Sequence, residues 1–161
     1  MHGLLLAFAK WLENTPWGLG VRNSLWAYPF TQLIHFTGLS IWVGTNFALD
    51  LRLLGIGKRR VTAAEVAQDL FTWNWIGFGI VLLGGFLLFS SNAAAFVGNL
   101  AFQWKLGFFV PLALIWHIIV QRKARTWGRM TDTPVLAKLA GLTEMLLWIC
   151  VVTAAALIPN Y

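Results

Sequence analysis

Four runs of mostly apolar residues, each near twenty residues long, constrain this 161-residue chain more than any other feature. A helix that crosses a bilayer needs about 20 such residues, so each run predicts one membrane span. The runs lie at about 25–51, 73–91, 102–120 and 140–158. Residues typical of turns separate them, at 55–57, 90–92 and 132–134. The prediction is an all-α integral membrane four-helix bundle, with residues 1–161 forming a single membrane domain.

The composition supports a membrane protein. Apolar residues make up 58% of the chain and charged residues 11%, whereas about 25% of a typical soluble domain is charged. The net charge of +6 comes from basic residues between the apolar runs, so membrane topology explains it without a nucleic-acid partner. The expected partners are the lipid bilayer and other subunits, either copies of this chain or members of a larger membrane complex.

The basic residues indicate how the chain crosses the membrane. The loops after the first and third runs, with the run ends beside them, hold most of them: Arg52, Lys58, Arg59, Arg60, Arg122, Lys123, Arg125, Arg129 and Lys138. The first 24 residues hold only Lys10 and Arg22, and residues 91–101 hold none. The positive-inside rule therefore predicts that both termini face outward, into the periplasm if the protein lies in a bacterial inner membrane.

The residues before the first run predict short helices outside the bundle. The segment 3–13 is apolar but too short to span, and it has no basic start or small-residue cleavage site typical of a signal peptide. We expect a short interfacial helix on the outer surface. Thr15 followed by Pro16 predicts a new helix, because a capping residue precedes a proline at the first helical position.

Ionisable side chains inside the apolar runs carry most of the information about function, because each costs about 3 kcal/mol or more in a bilayer unless it has a partner. There are five: His35, Asp50, Lys105, His117 and Glu144. Asp50 and Lys105 lie near the ends of runs, where we interpret them as interfacial anchors. The other three lie deeper and are the candidates for a functional site.

His35 lies on a polar and small-residue face of the first run, together with Gln32, Gly38, Trp42 and Asn46. Such a face is expected to point into the bundle. Gln32 lies one turn before His35, so its amide is expected to hydrogen-bond the imidazole and fix its tautomer, as a ligating histidine requires. We interpret His35 as a metal ligand or proton carrier, with an interhelical hydrogen bond as the alternative.

His117 in the third run and Glu144 in the fourth are expected to lie at similar depth, because each is about five or six residues from a basic residue near the inner end of its span. A carboxylate beside an imidazole can orient it as a ligand or share a proton with it. The alternative is that the pair only ties the two helices together.

Two inward-facing histidines on different spans are the ingredients of a bis-histidine haem b site. The predicted haem ligands are His35 and His117, and the residues expected around them are Gln32, Glu144, Trp42 and Trp116. The difficulty is depth. At 1.5 Å rise per residue, the two histidines differ in depth by roughly 6 to 12 Å, depending on where the third span is centred.

Several blocks of the chain resemble an uncharacterised family of small bacterial four-helix inner-membrane proteins. The blocks are Tyr28-Pro29, His35 and Asp50-Leu-Arg-Leu-Leu-Gly55, and the resemblance extends over nearly the whole chain. It implies the four-span fold and no established activity. It also implies an acidic residue three positions before the first histidine, where this chain has Gln32.

Three functions stay open at this point. The favoured one is electron transfer by a membrane-embedded protein or subunit that binds haem b through His35 and His117. The second is transport or handling of a proton, a metal or a small solute, with these histidines, Asn46 and Glu144 along a path. The third is a non-catalytic structural subunit. Since the chain carries no hydrolase or nucleotide-binding motif, an accessory or electron-transfer subunit is expected rather than a stand-alone enzyme.

Overall fold

The computed structural model describes residues 2–57, 61–127 and 133–160. About 90% of the chain is helical, and the described residues contain no strand. The helices are α1 (His2–Glu13), α2 (Pro16–Asn23), α3 (Ala27–Leu53), α4 (Ala63–Ser91), α5 (Ala93–Gly98), α6 (Leu100–Trp104), α7 (Val110–Trp127) and α8 (Val135–Leu157). A π-helical turn at Lys105–Phe109 joins α6 to α7, and a 3-10 turn at Ile158–Asn160 follows α8.

Three of the helical segments are long and apolar enough to cross a membrane: Ala63–Ser91, Leu100–Trp127 and Val135–Leu157. They cover the second, third and fourth predicted runs, which indicates a membrane protein. The first run forms α3, whose 27 residues are also long enough to span. However, α3 is not among the three, because its polar face lowers its hydropathy.

Small residues bring α3 and α4 into close backbone contact. A Cβ atom on Gly77 would lie 2.8 Å from the backbone nitrogen of Trp42, and one on Gly84 would lie 2.9 Å from the Cα of His35. Side chains larger than hydrogen therefore do not fit there without movement. This contact sets the positions of His35 and Trp42 relative to α4.

The chain begins with short helices at one end of the long ones. Thr15 caps α2, because its hydroxyl accepts a hydrogen bond from the Gly18 nitrogen at 3.3 Å, and Pro16 is the first helical residue. The helix start predicted at Thr15-Pro16 is thus confirmed. The carboxylate of Glu13 accepts a hydrogen bond from the Ala94 nitrogen at 2.7 Å, which ties α1 to α5. The interfacial location of α1 stays a prediction.

The opposite end of the long helices carries Arg52, Arg122 and Arg125, and we call it the basic end. A turn follows α3 there, with Gly55 and Gly57 at φ angles of +84° and +106° that favour glycine; the turn predicted at 55–57 is confirmed. Four further basic residues behind the topology prediction lie outside the described residues: Lys58, Arg59, Arg60 and Arg129. Of the turn predicted at 132–134, residue 132 also lies outside the described residues, whereas Thr133 and Pro134 are described and directly precede α8.

Candidate functional site

The long helices enclose a group of buried polar side chains near the basic end, which we call the polar cluster. It consists of Asn46 and Asp50 on α3, Asn74 on α4, His117 and Gln121 on α7, and Glu144 on α8. Asp50 and Glu144 have no exposed surface, and His117 is 1% exposed. Because charged groups are almost never fully buried without partners, the contacts among these side chains decide what the cluster does.

His117 uses both ring nitrogens within the cluster. Its Nδ1 lies 2.5 Å from Glu144 Oε1, and its Nε2 lies 3.0 Å from Asn74 Oδ1. Asn74 Oδ1 is placed to accept from the imidazole at Nε2. At Nδ1, the imidazole and the Glu144 carboxyl group share one hydrogen bond. The structure therefore brings together His117 and Glu144, which the sequence placed at similar depth.

Asp50 lies beside Glu144, where α3 meets α8. The two helices approach closely at Gly141, where an added Cβ would lie only 3.2 Å from the Asp50 carbonyl oxygen. Both side-chain oxygens of Asp50 and Oε2 of Glu144 are buried and receive no hydrogen bond from the described residues. A proton shared between them would supply the missing donor and remove the repulsion. The interpretation of Asp50 as an interfacial anchor is therefore wrong.

Asn74 connects three of the helices. Its Nδ2 donates to Thr45 Oγ1 at 2.9 Å and to Asn46 Oδ1, while its Oδ1 accepts from His117. Sequence reasoning missed this residue, because it considered ionisable groups first. The available signal was an asparagine inside an apolar run and one turn before Gly77, where an unpaired amide would be costly.

A cavity of about 10 Å³ adjoins the cluster on its basic-end side, among Thr45, Asn74, His117 and Gln121. A site of this size and polarity is at the lower limit for one water molecule. The Gln121 side chain lies between this cavity and the outside of the bundle, and its Oε1 accepts a hydrogen bond from Trp75 Nε1 at 3.2 Å. Polar groups thus continue from His117 toward the basic end.

Aromatic rings close the cluster on the other side. Trp42 is 1% exposed, and its ring centroid lies 4.8 Å from that of His117, 4.6 Å from that of Phe78 and 5.5 Å from that of Trp148. The indole nitrogens of Trp42 and Trp148 have no hydrogen-bond partner. This layer, which contains no bonded polar group, separates the cluster from the half of the bundle that holds His35.

His35 lies apart from the cluster, in the contact between α3 and α4. Its Nδ1 donates to the Val81 carbonyl oxygen at 2.9 Å. This hydrogen bond fixes the tautomer of His35, a role that the sequence analysis predicts for Gln32. No hydrogen bond joins Gln32 to His35 in the described structure. Lys105, in the π-helical turn, lies close enough to His35 to act on it electrostatically.

The two histidines predicted to share a haem do not come together. His35 bonds to Val81 and His117 bonds to Asn74, both on α4. These two residues of α4 are seven positions apart (81 minus 74), which corresponds to about 10 Å of helix rise. His117 also has no ring nitrogen left for iron. Trp116, expected to line the haem slot, instead donates from Nε1 to the Ala140 carbonyl oxygen at 3.1 Å, which links α7 to α8.

A haem bound by both histidines of one chain does not fit this arrangement. Among the described residues, no three histidine, cysteine or acidic side chains are grouped to hold a metal ion. Comparisons with protein-family models, with curated proteins and with solved structures find no match for this chain.

Proposed function

We propose that this protein is a membrane subunit that binds and transfers protons. The observation that carries the proposal is the burial of three ionisable groups from three different helices: His117 is hydrogen-bonded to Glu144 at 2.5 Å, and Asp50 lies where α3 packs against α8. Amides alone would tie helices together at lower cost. Three ionisable groups in contact offer several positions for one proton with little change in net charge.

The proposal includes a four-span bundle in a bacterial inner membrane, with both termini outside. It counts α3 as a span because the helix divides into two faces. Asn46 and Asp50 are buried, whereas Leu33 and Phe36 are 59% and 52% exposed and suit contact with lipid. The basic residues then lie on the cytoplasmic side, and the polar cluster lies in the cytoplasmic half of the membrane.

A proton is expected to enter from the basic end. Gln121 and the 10 Å³ cavity lie between that end and His117, and Asn74 holds the imidazole in place at Nε2. From His117 the proton passes to Glu144 and is shared with Asp50. Since Trp42 blocks the opposite side, release in that direction needs a rearrangement, which couples proton transfer to a partner subunit or a second copy of the chain.

Infrared spectroscopy of the reconstituted protein tests proton binding. The wild type should show a buried carboxylic acid C=O band in spectra recorded at about pH 5 and at about pH 8. Glu144→Gln and Asp50→Asn should each remove or shift it. Thr143→Val is the matched control, because Thr143 is exposed next to Glu144 on α8. A spectrum without a buried acid band at any of these pH values would instead support a purely structural subunit.

A second candidate function is electron transfer with haem b at His35. It is supported by the Nδ1–H bond to Val81, since a backbone acceptor at Nδ1 leaves Nε2 as the ligand atom. His35 would hold the haem together with a residue of another subunit, and the haem would supply one-electron redox chemistry. A Soret band in the purified protein that is lost in His35→Ala and kept in His117→Ala would support it. A protein without the band in haem-replete cells would exclude it.

A further inference from the structure

A second cavity, of about 340 Å³, opens on the outside of the bundle between α4 and α7. We call it the basic-end groove. Its lining residues are Phe71 and Trp75 on α4, and Ile118, Gln121, Arg122 and Arg125 on α7. This groove takes no part in the proposed proton binding.

The groove combines an apolar wall with two cationic groups. Phe71, Trp75 and Ile118 form the wall, and the Arg125 guanidinium carbon lies 5.4 Å from the Phe71 ring centroid. This cation–π contact holds Arg125 over the groove. Arg122 lies one helical turn before it, so both guanidinium groups extend from the same side of α7. Among the described residues, the ion pairs are Arg22–Glu13 and His117–Glu144, and neither involves these arginines.

We propose that the basic-end groove binds one anionic phospholipid of the surrounding membrane. Guanidinium groups bind phosphate oxygens through two parallel hydrogen bonds, so Arg122 and Arg125 would hold the headgroup phosphate. The aromatic and aliphatic wall would pack against the start of an acyl chain. Basic pockets between membrane helices at the interface bind anionic headgroups in this way. A small water-soluble anion would leave the apolar wall uncovered.

The groove adjoins the polar cluster through one side chain. Gln121 lines both the groove and the 10 Å³ cavity, and its Nε2 lies 3.5 Å from Asn74 Oδ1. A headgroup held by the arginines would therefore lie next to the residue that leads to His117. The bound lipid would form the outer wall of the cluster at the basic end.

Native mass spectrometry of the full-length protein, stripped of lipid in detergent, tests the proposal. Phosphatidylglycerol should bind with a stoichiometry of one, and zwitterionic phosphatidylcholine should not. The double variant R122Q/R125Q should bind phosphatidylglycerol at least about tenfold more weakly, because it loses two charged hydrogen-bond donors. Lys123→Gln is the matched control, since it removes one exposed positive charge from the same helix outside the groove.

Four results would count against the proposal. Equal binding of phosphatidylcholine, whose phosphate is offset by a quaternary ammonium, would show that the net negative charge of the headgroup is not recognised. An equal loss in Lys123→Gln would show a general charge effect. Complete displacement of the lipid by millimolar inorganic phosphate would assign the site to a free anion. Ile118→Trp fills the groove and keeps both arginines, so it should also lose the lipid while keeping the wild-type unfolding temperature. Wild-type lipid binding by folded Ile118→Trp would contradict the proposed acyl-chain contact.

Discussion

The indole ring of Trp42 lies edge-on against the imidazole of His117, with 4.8 Å between the ring centroids and 65° between the ring planes. Trp42 also contacts Trp148 and Phe78, so a layer of aromatic rings covers one side of the polar cluster. The other side leads through Gln121 toward the basic end. Among the described residues, polar groups therefore approach the cluster from the basic end, as the proposed proton site requires.

Removal of the Trp42 ring should open that closed side. We expect Trp42→Ala to raise proton flux into liposomes under an imposed pH gradient, because water can enter the space left by the indole. The variant should also lose about 3–5 kcal/mol of stability, as buried aromatic residues do on truncation to alanine. Trp104→Ala is the control, since Trp104 is 53% exposed. An unchanged flux in folded Trp42→Ala would show that the ring is not the barrier.

Two substitutions of Glu144 should differ in their effect on stability. If His117 and Glu144 form a charged pair, Glu144→Ala removes one charge and leaves the other buried and unpaired, at a cost of about 3–5 kcal/mol. Glu144→Gln keeps the shape and one acceptor oxygen, so the loss should be smaller, about 1–3 kcal/mol. Denaturant unfolding in detergent measures both. Equal losses for the two variants would contradict a charged His117–Glu144 pair.

The contact between α3 and α4 predicts opposite effects at two glycines that are two residues apart. A Cβ on Gly77 would lie 2.8 Å from the backbone nitrogen of Trp42, whereas one on Gly79 would meet no atom within 4 Å. Gly77→Ala should therefore destabilise the protein by about 1–3 kcal/mol through overpacking. Gly79→Ala should be neutral or stabilising by up to about 1 kcal/mol, because alanine favours a helix. Thermal unfolding of the two variants side by side tests this contrast.

Asn74→Ala should change the hydrogen bonding of the His117 imidazole without affecting His35. The substitution removes the oxygen that accepts from His117 Nε2, so the ¹⁵N resonance of that nitrogen should move in a sample with labelled histidine. The loss of buried hydrogen bonds should cost about 1–3 kcal/mol. The His35 resonances are the internal reference, because His35 bonds to Val81 instead. Asn14→Ala, at an exposed asparagine, should leave both histidines unchanged.

Sequence reasoning works best here where the relevant interactions are local. Helix length follows from the run of apolar residues, and the start of α2 follows from Thr15 and Pro16. The shared depth of His117 and Glu144 follows from counting residues to the nearest basic side chain, because rise per residue in a helix is constant. In each case a few consecutive residues contain the whole physical cause.

The polar cluster depends on interactions between helices, which a single sequence does not specify. Asn74 and Asp50 were not recognised as site residues, because their importance comes from partners on other helices. His35 was paired with Gln32, one turn away, but its actual partner is a carbonyl oxygen on α4. The glycines that bring α3 against α4 place the Val81 carbonyl oxygen within hydrogen-bond distance of His35.

The sequence by itself determined that the chain is helical and apolar, where its long helices lie, and which ionisable residues they carry. Only the tertiary structure decided that His117 pairs with Glu144 and Asn74, that Asp50 joins them, and that Trp42 separates them from His35. The physical reason is that rotation and depth of one helix against another depend on close packing at particular residues, such as Gly77 and Gly84.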